Sequence, residues 1–378
     1  MRRFIVTLLL AVALSATAAL AQQLVWSVDF SSVFNNREGG DEARPDQTFI
    51  FTRLSPEVGV KLNSADSTQV HLLKGGVTWF QPLNDQLDGY KVQPTLYYQY
   101  RRQGTRDSWQ VSVGQLPRTL LMERAPRYLW SDSMSYHHAN LRGALVQYER
   151  GASYAEFYLD WRQMQSTTRR EAFNVDFNGK WYAWSQGAPQ SLDKGLWLGG
   201  YFQYNHLAKR KNAPDTEGVN DDVTINPMLG LDLMGGAMPV RLKAGAIINR
   251  ERARVDEKWL TACGFIGNVN ARWRFLEAEE NVFVGKDLFP LYPRFGSLLN
   301  LGDTYYRDKF YSRTDLIAHI VQNEFVDLNT SLTVHATDKT TGFWQQISCR
   351  VYIDNLIWHH RHKRSNTLST QQRLSTIY

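Results

Sequence analysis

The chain has 378 residues, of which 43% are hydrophobic, 13% aromatic and 21% charged, with a formal net charge of +6. Its mean hydropathy is −0.42, and beyond the first residues no run approaches the roughly 20 apolar residues that a spanning helix needs. The aromatic content excludes an intrinsically disordered chain, because these residues bury enough area to offset chain entropy. The mild positive charge is spread along the chain and does not predict a nucleic-acid partner.

The first residues indicate an exported protein. Arg2 and Arg3 precede an apolar run over 4–14, and small residues follow up to Ala21. A charged start, an apolar stretch too short to span a bilayer and a small-residue cleavage site are typical of a secretory signal peptide. We therefore predict a signal peptide over residues 1–21. A single membrane anchor is the alternative, but polar residues interrupt the apolar run.

Most of the remaining chain alternates between apolar and polar residues with a period of two. In residues 172–184 the odd-numbered positions are mostly apolar and the even-numbered ones mostly polar, and 155–163, 223–233 and 326–336 repeat this pattern. Side chains in a strand point alternately to opposite faces, so each segment predicts a strand with one apolar face. Helical periodicity is not convincing anywhere, and we predict an all-β fold of about sixteen strands over residues 22–355.

The connections between these strands indicate how the sheet sits in a membrane. Tight turns such as 63–66 and 103–106 alternate with long polar segments such as 35–46, 118–139 and 289–307. Transmembrane barrels have short periplasmic turns and longer outer loops. In lipid only a closed sheet satisfies every backbone group of its strands. The sequence therefore predicts a single antiparallel transmembrane β-barrel in the bacterial outer membrane.

Two connections, 167–170 and 186–195, depart from this arrangement. A soluble β-sandwich or propeller is the alternative architecture, since its strands would alternate as well. Aromatic residues that cluster toward strand ends favour the barrel, because they suit the two interfaces of a bilayer. These clusters are Trp79-Phe80, Tyr97-Tyr98-Tyr100, Trp181-Tyr182-Trp184, Trp197, Trp259, Trp273 and Phe343-Trp344.

Charged residues on the polar faces would point into the lumen of such a barrel. Sixteen strands enclose an interior too wide for side chains to fill, which leaves an aqueous channel. We therefore predict passive diffusion of small polar solutes, without a cofactor or a metal; a plugged lumen is the alternative. The candidate pore-lining residues are Arg53, Arg101, Glu156, Asp160, Arg162, Asp176, Lys180, Asp232, Lys243, Arg313, Asp315 and Arg350.

The long connection over 117–140 is too apolar for a solvated outer loop, because Leu120, Leu121 and Trp130 stand among its arginines. This composition favours a segment folded against the inner wall, where it would narrow the pore; an outer lid is the alternative. The candidate constriction residues are Arg118, Glu123, Arg124, Arg127 and Asp132. Residues 288–306 form a second candidate for a mouth or lid.

Several short phrases resemble those of porin-like outer-membrane barrels of Gram-negative bacteria. They are Arg53-Leu54-Ser55-Pro56-Glu57-Val58-Gly59, Gly114-Gln115-Leu116-Pro117-Arg118, Ser131-Asp132-Ser133, Tyr154-Ala155-Glu156-Phe157, Asp160-Trp161 and Arg169-Arg170-Glu171. The resemblance implies an outer-membrane barrel with a pore by analogy, and a constricting loop after the fifth strand. It also implies outer-membrane lipid and lipopolysaccharide around the protein, the barrel-assembly machinery as a partner during biogenesis, and a possible homotrimer.

Motifs of catalysis are weak in this sequence. His137 and His138 follow a Ser-Asp-Ser phrase, but the chain has no Gly-x-Ser-x-Gly elbow and no His-Glu-x-x-His motif. We therefore predict no catalytic residues and a protein that is not an enzyme. A non-conducting adhesin or assembly platform is the first alternative to a channel, and an outer-membrane hydrolase is the second.

The end of the chain, residues 356–378, is predicted to be a basic tail outside the barrel. Residues 358–364 hold three histidines and three cationic residues, without carboxylate neighbours. A solvated tail is favoured over a metal site, and contact with lipopolysaccharide phosphate lies between the two readings.

Overall fold

The computed structural model describes residues 21–42, 44–83, 91–188, 191–214 and 216–353, which form a closed barrel of sixteen antiparallel strands. The strands are β1 Ala21–Glu38, β2 Gln47–Asn63, β3 Gln69–Pro82, β4 Lys91–Gln103, β5 Asp107–Pro117, β6 Asn140–Arg150, β7 Ser153–Gln163, β8 Arg170–Ala188, β9 Ser191–Arg210, β10 Asn220–Leu233, β11 Val240–Ala253, β12 Lys258–Trp273, β13 Leu276–Gly285, β14 Phe310–Gln322, β15 Val326–Thr337 and β16 Thr341–Tyr352. The predicted fold class and strand number are confirmed.

Each strand pairs with its neighbours in sequence, and the first pairs with the last. The closing register runs from Asp29 opposite Tyr352 to Glu38 opposite Phe343. Because β1 pairs with β16 over this register, the sheet closes on itself and its described wall has no open seam. No helix among the described residues is long and apolar enough to cross a membrane.

The first strand begins, and the last strand ends, at the rim that carries the short turns. The long connections lie at the opposite rim. By the arrangement typical of such barrels, the first rim is periplasmic and the second is the outer one. The predicted connection over 186–195 is mostly strand, because β8 continues to Ala188 and β9 begins at Ser191. Register irregularities between Tyr182 and Trp184, and again after Gln186, interrupt the alternation that would have marked it.

The outer wall is apolar and the inner wall is polar. Exposed large side chains on the outer wall include Trp79, Trp109, Trp181, Trp184 and Trp273. Four aromatic residues that we assigned to the interfacial belts are instead buried on the inner wall: Phe80, Tyr97, Trp197 and Trp344. They occupy inward-facing positions of their strands, and position along a strand alone does not fix which wall a side chain joins.

Two outer connections fold back into the lumen. The first, 118–139, carries the short helix α1 (Asp132–His137), and the second, 286–309, carries α2 (Tyr292–Phe295). The Ser131 amide donates to the Leu301 carbonyl at 2.8 Å, and the Asp303 amide donates to the Arg127 carbonyl at 2.7 Å. A buried apolar cluster that includes Tyr128, Leu129, Leu288, Phe289 and Tyr306 packs these loops on the inner wall.

The two ends of the chain, which we predicted to be a signal peptide and a basic tail, lie largely outside the described residues. The predicted signal peptide lies outside the described residues except for Ala21, where β1 begins. The predicted basic tail, 356–378, lies outside them entirely.

Candidate functional site

The loop over 118–139 is anchored to the inner wall by buried ion pairs. Arg118 is hydrogen-bonded to Asp160 of β7, and its guanidinium lies 3.6 Å from the centre of the Trp130 ring. The backbone amide of Met122 donates to Glu156 at 2.6 Å. These predicted pore and constriction residues therefore contact each other rather than facing an open passage.

Glu123 joins the same loop to the other side of the lumen. Lys180 lies 2.5 Å from its carboxylate, and the Tyr201 hydroxyl donates to it at 3.1 Å. Burial alone would raise the pKa of Glu123, but Lys180, Lys243 and Arg241 lower it to about 2. The carboxylate is therefore charged at neutral pH and holds the loop by electrostatic attraction.

Asp132, at the start of α1, is the centre of the network. It is buried and accepts hydrogen bonds from Arg124, Arg127 and Arg313, the last at 2.8 Å. Burial would raise the pKa of Asp132, yet these three arginines hold it well below the usual range. Arg313 also bonds Asp315 at 2.7 and 2.9 Å. One carboxylate thus joins the loop to β14.

The remaining predicted lining residues lie on the inner faces of their strands, mostly with partners. Arg53 donates to the Tyr136 carbonyl at 3.0 Å, Arg162 to the Leu298 carbonyl at 3.1 Å, and Arg350 to Asp29. Asp176 accepts from Gln203 at 2.7 Å, and Asp232 accepts from Tyr182. Arg101 is exposed near the periplasmic rim.

Separate cavities remain around the loops. One of about 280 Å³ opens at the outer mouth, beside Arg37, Arg44, Asp132 and Tyr305. Another of about 240 Å³ lies on the periplasmic side of the first loop, beside Lys74 and other residues. Residues of the first loop line both cavities together with the wall.

A second set of candidate residues lies on the outer surface of the barrel, which faces lipid, near the outer rim. It is a row across six neighbouring strands, in which each residue is paired directly with the next: Trp161, Phe173, His206, Asp221, Arg252 and Trp259. Directly paired residues of an antiparallel sheet lie on the same face. The apolar residues that share this face further down the strands, such as Phe177, Leu198 and Ile225, are exposed. We call these six residues the outer row.

His206 is held by specific contacts at the centre of the outer row. Its Nδ1 lies 3.2 Å from the Asp221 carboxylate and 3.2 Å from the Tyr204 hydroxyl, which itself donates to Asp221 at 2.8 Å. The imidazole stacks on Phe173 at 4.8 Å, and Phe173 stacks on Trp161 at 5.2 Å. These contacts fix the orientation of the imidazole ring. Both polar contacts involve Nδ1, and Nε2 takes part in neither of them.

Asp221 is also paired with Arg254, whose two nitrogens lie 2.7 and 3.1 Å from its two oxygens. This carboxylate is buried although it lies on the lipid-facing wall. A carboxylate that orients a histidine from the far side of the ring is the arrangement that general-base catalysis uses. The outer row therefore has the geometry to move a proton at His206 Nε2.

One other histidine–carboxylate pair lies among the described residues. His319 Nε2 lies 2.8 Å from Glu277, but both face the lumen near the periplasmic rim. In the same part of the chain, no group of three or more His, Cys, Asp or Glu side chains is arranged to hold a metal ion. The outer row is thus distinguished by its position as well as by its chemistry.

Sequence reasoning did not find the outer row. Its members are separated by 7 to 33 residues along the chain, so only the strand register brings them together. A signal was nonetheless present: the alternation over 223–233 puts odd-numbered residues on the apolar face, and Asp221 continues that face. Likewise Arg250 and Arg252 continue the apolar face of β11.

The family model for lipid A 3'-O-deacylase-type proteins matches residues 16–340. The chain belongs to this family. Because this is an enzyme family, our prediction of a protein that is not an enzyme is wrong. No curated protein matches the chain in sequence.

Solved structures with the same fold include outer-membrane proteins, among them a porin. The OmpT protein of Vibrio cholerae, as expressed in the outer membrane, is 10% identical over 88% of this chain and 98% of its own, with a TM-score of 0.51. The anion-selective porin of Comamonas acidovorans is 8% identical over 88% of this chain and 100% of its own, with a TM-score of 0.50. The protein is therefore a porin-like outer-membrane β-barrel, as the sequence predicted; this likeness concerns the fold alone.

Proposed function

We propose that this protein hydrolyses an ester-linked acyl chain of lipid A, with His206 as general base on the lipid-facing wall. The observation that carries the proposal is the 3.2 Å contact between His206 Nδ1 and Asp221, facing lipid near the outer rim. Lipid A lies in the outer leaflet, and family membership supports it as the substrate class. We therefore prefer a hydrolase, which the sequence analysis left open as an alternative, to a channel.

The chemistry follows from the orientation of the imidazole. With Nδ1–H donated to Asp221, Nε2 of His206 takes a proton from water as the water oxygen adds to the ester carbonyl. The tetrahedral intermediate then expels the sugar oxygen, and the imidazolium returns the proton to it. The products are a free fatty acid and the sugar hydroxyl. Asp221, which is also paired with Arg254, stabilises the imidazolium between these steps.

The position of the pair supports its use on a lipid substrate. Acyl chains of the outer leaflet lie against the outer wall, where Phe177, Leu198 and Ile225 are exposed below the outer row. The pair of His319 and Glu277 faces the lumen at the other rim, out of reach of such a chain. The lumen supports passive diffusion less well, because two loops fold into it. Buried ion pairs hold the first loop to the wall, and backbone hydrogen bonds join the second loop to the first.

A panel of variants with purified, folded protein in lipid A micelles tests the proposal. His206→Gln keeps a polar side chain of similar size but removes the base, and we expect fatty-acid release to fall about 100-fold or more. His319→Gln is the matched control on the inner wall and should retain the wild-type rate. Equal rates in His206→Gln and wild type would refute the assignment of the base.

A further inference from the structure

We infer that Arg250 and Arg252, held against Trp259, form a binding site for a phosphate group of lipid A. The inference rests on the proposed function for the identity of the lipid, and it adds the residues that would select a phosphorylated headgroup. The first observation is that three arginines lie close together on β11. Arg250, Arg252 and Arg254 occupy alternate positions and therefore share the lipid-facing side of that strand.

The three arginines differ in their partners. Arg254 is committed to Asp221, whereas Arg250 and Arg252 form no ion pair with a carboxylate among the described residues. Both guanidinium groups lie on the Trp259 ring, at 4.9 and 5.7 Å from its centre. The Nε of Arg252 is buried without a hydrogen-bond partner. Two guanidinium groups without an ion pair of their own thus share one aromatic platform.

A phosphate group is the ligand that fits these donors. A buried donor without a partner is unfavourable, and a guanidinium presents its nitrogens in a planar fork that matches phosphate oxygens. Phosphate bound there would accept from Arg252 and neutralise both cations. Thr261, paired directly with Arg250 on the same face, adds a hydroxyl beside them.

Position distinguishes a lipid phosphate from a dissolved anion. Arg252 is one residue from the outer end of β11, on the wall that faces lipid, and is therefore at the level of the outer-leaflet headgroups. It is two strands away from His206, which at the usual strand spacing is about 10 Å. A phosphate held by Arg252 would thus keep the sugar of the same lipid within reach of the base.

Binding and turnover are measured separately, so that the two proposals can fail independently. Equilibrium binding uses the inactive His206→Gln protein in nanodiscs with lipid A or with the same lipid A after phosphatase treatment. We expect tighter binding of phosphorylated lipid A, and a loss of about 10- to 100-fold in affinity when Arg250→Gln and Arg252→Gln are added. Affinity for the dephosphorylated lipid should not change.

The matched control is Arg102→Gln, an exposed arginine on the outer wall at the periplasmic end of β4. It should leave lipid A affinity unchanged. Trp259→Leu removes the aromatic ring but keeps both arginines, and it should give a smaller loss of affinity for phosphorylated lipid A. It replaces the double variant in the test if that variant does not fold. Equal affinity of the double variant and its parent for phosphorylated lipid A would overturn the inference, whether or not the protein hydrolyses the lipid. Phosphate-selective binding without hydrolysis by wild type would overturn only the proposed function.

Discussion

The two walls of the barrel carry charge in different ways. On the inner wall, Arg118 and Arg313 each form an ion pair with a carboxylate, and these pairs fasten a loop in place. On the outer wall, His206 and Arg252 lie where hydrocarbon begins, and each has a nitrogen that the fold does not use. The inner-wall ion pairs thus have a structural role, whereas the charged groups of the outer row, which anchor no loop, are the candidates for binding and catalysis.

The energetic setting of the two groups also differs. A buried ion pair is weak evidence for a reaction, because removing one partner mainly leaves the other charge uncompensated. A charged side chain on the lipid face is unfavourable by about 2–4 kcal/mol near the midplane and by far less near the interfaces. The outer row lies near the outer rim, so the fold can keep Arg252 there at a modest cost.

The largest expected effect tests the structural role of the inner wall. In Asp132→Asn, three arginines lose their shared carboxylate, and we expect docking of the 118–139 loop to weaken by about 3–5 kcal/mol. Limited trypsin digestion measures this, because the released loop exposes Arg124 and Arg127. Asp132→Glu, which keeps the charge, should resist cleavage better. Loss of lipid A hydrolysis in Asp132→Asn with an intact loop would contradict the division between the walls.

The next largest effect concerns the outer wall. In Asp221→Asn the imidazole loses the carboxylate that orients it and that stabilises the imidazolium formed during the reaction, and we expect hydrolysis to slow about 100- to 1000-fold. This corresponds to about 3–4 kcal/mol in the barrier. Initial rates of fatty-acid release measure it. Since the inner loop does not contact Asp221, trypsin resistance should be unchanged, and a cleavable loop would argue against a local effect.

A smaller effect is expected from the aromatic stack. Phe173→Leu removes the ring on which His206 stacks at 4.8 Å, and such pairs contribute about 0.5–1.5 kcal/mol. We expect a slowing of about 2- to 10-fold, measured as kcat with lipid A in excess. Phe177→Leu, four residues further down the same face, keeps an apolar side chain there; it is the control and should behave as wild type. A stronger effect at Phe177 would place the site deeper in the membrane.

Docking of the inner loop is also expected to depend on pH. Burial first, and then nearby cations, lower the pKa of His137 to about 4 and that of His138 to about 3. Released histidines titrate near 6.5, so the docked loop binds fewer protons between pH 6.5 and 4. Docking should therefore be fully favourable above pH 6.5 and weaken as the pH falls toward 4.

Hydrogen exchange of the 118–139 amides, corrected for intrinsic rates, measures this dependence. Glu123 acts at lower pH, because its lowered pKa preserves its contribution above 4.5 and loses it only as the pH falls through about 2. Replacing both histidines by Gln should flatten the profile between pH 6.5 and 4. An unchanged profile in that double variant would assign the transition to other groups.

The sequence was sufficient for the barrel and insufficient for the candidate site. Period-two alternation identifies strands one at a time, so the fold class and the sixteen strands could be predicted. The 186–195 segment was missed because irregular register shifts the alternation within β8. The pairing of His206 with Asp221 and Arg252 depends on the register of three strands, which no single-strand pattern contains. A site assembled from separate strands leaves no local sequence motif. The lack of such a motif was therefore not evidence against catalysis.

The most direct measurement is the mass of lipid A after incubation with the wild-type barrel, folded in detergent. The account predicts that lipid A loses one ester-linked acyl chain and gains a hydroxyl at that position, with the fatty acid appearing in equal amount. Lipid A of unchanged mass, with a protein shown by gel mobility to be a folded barrel, would contradict it.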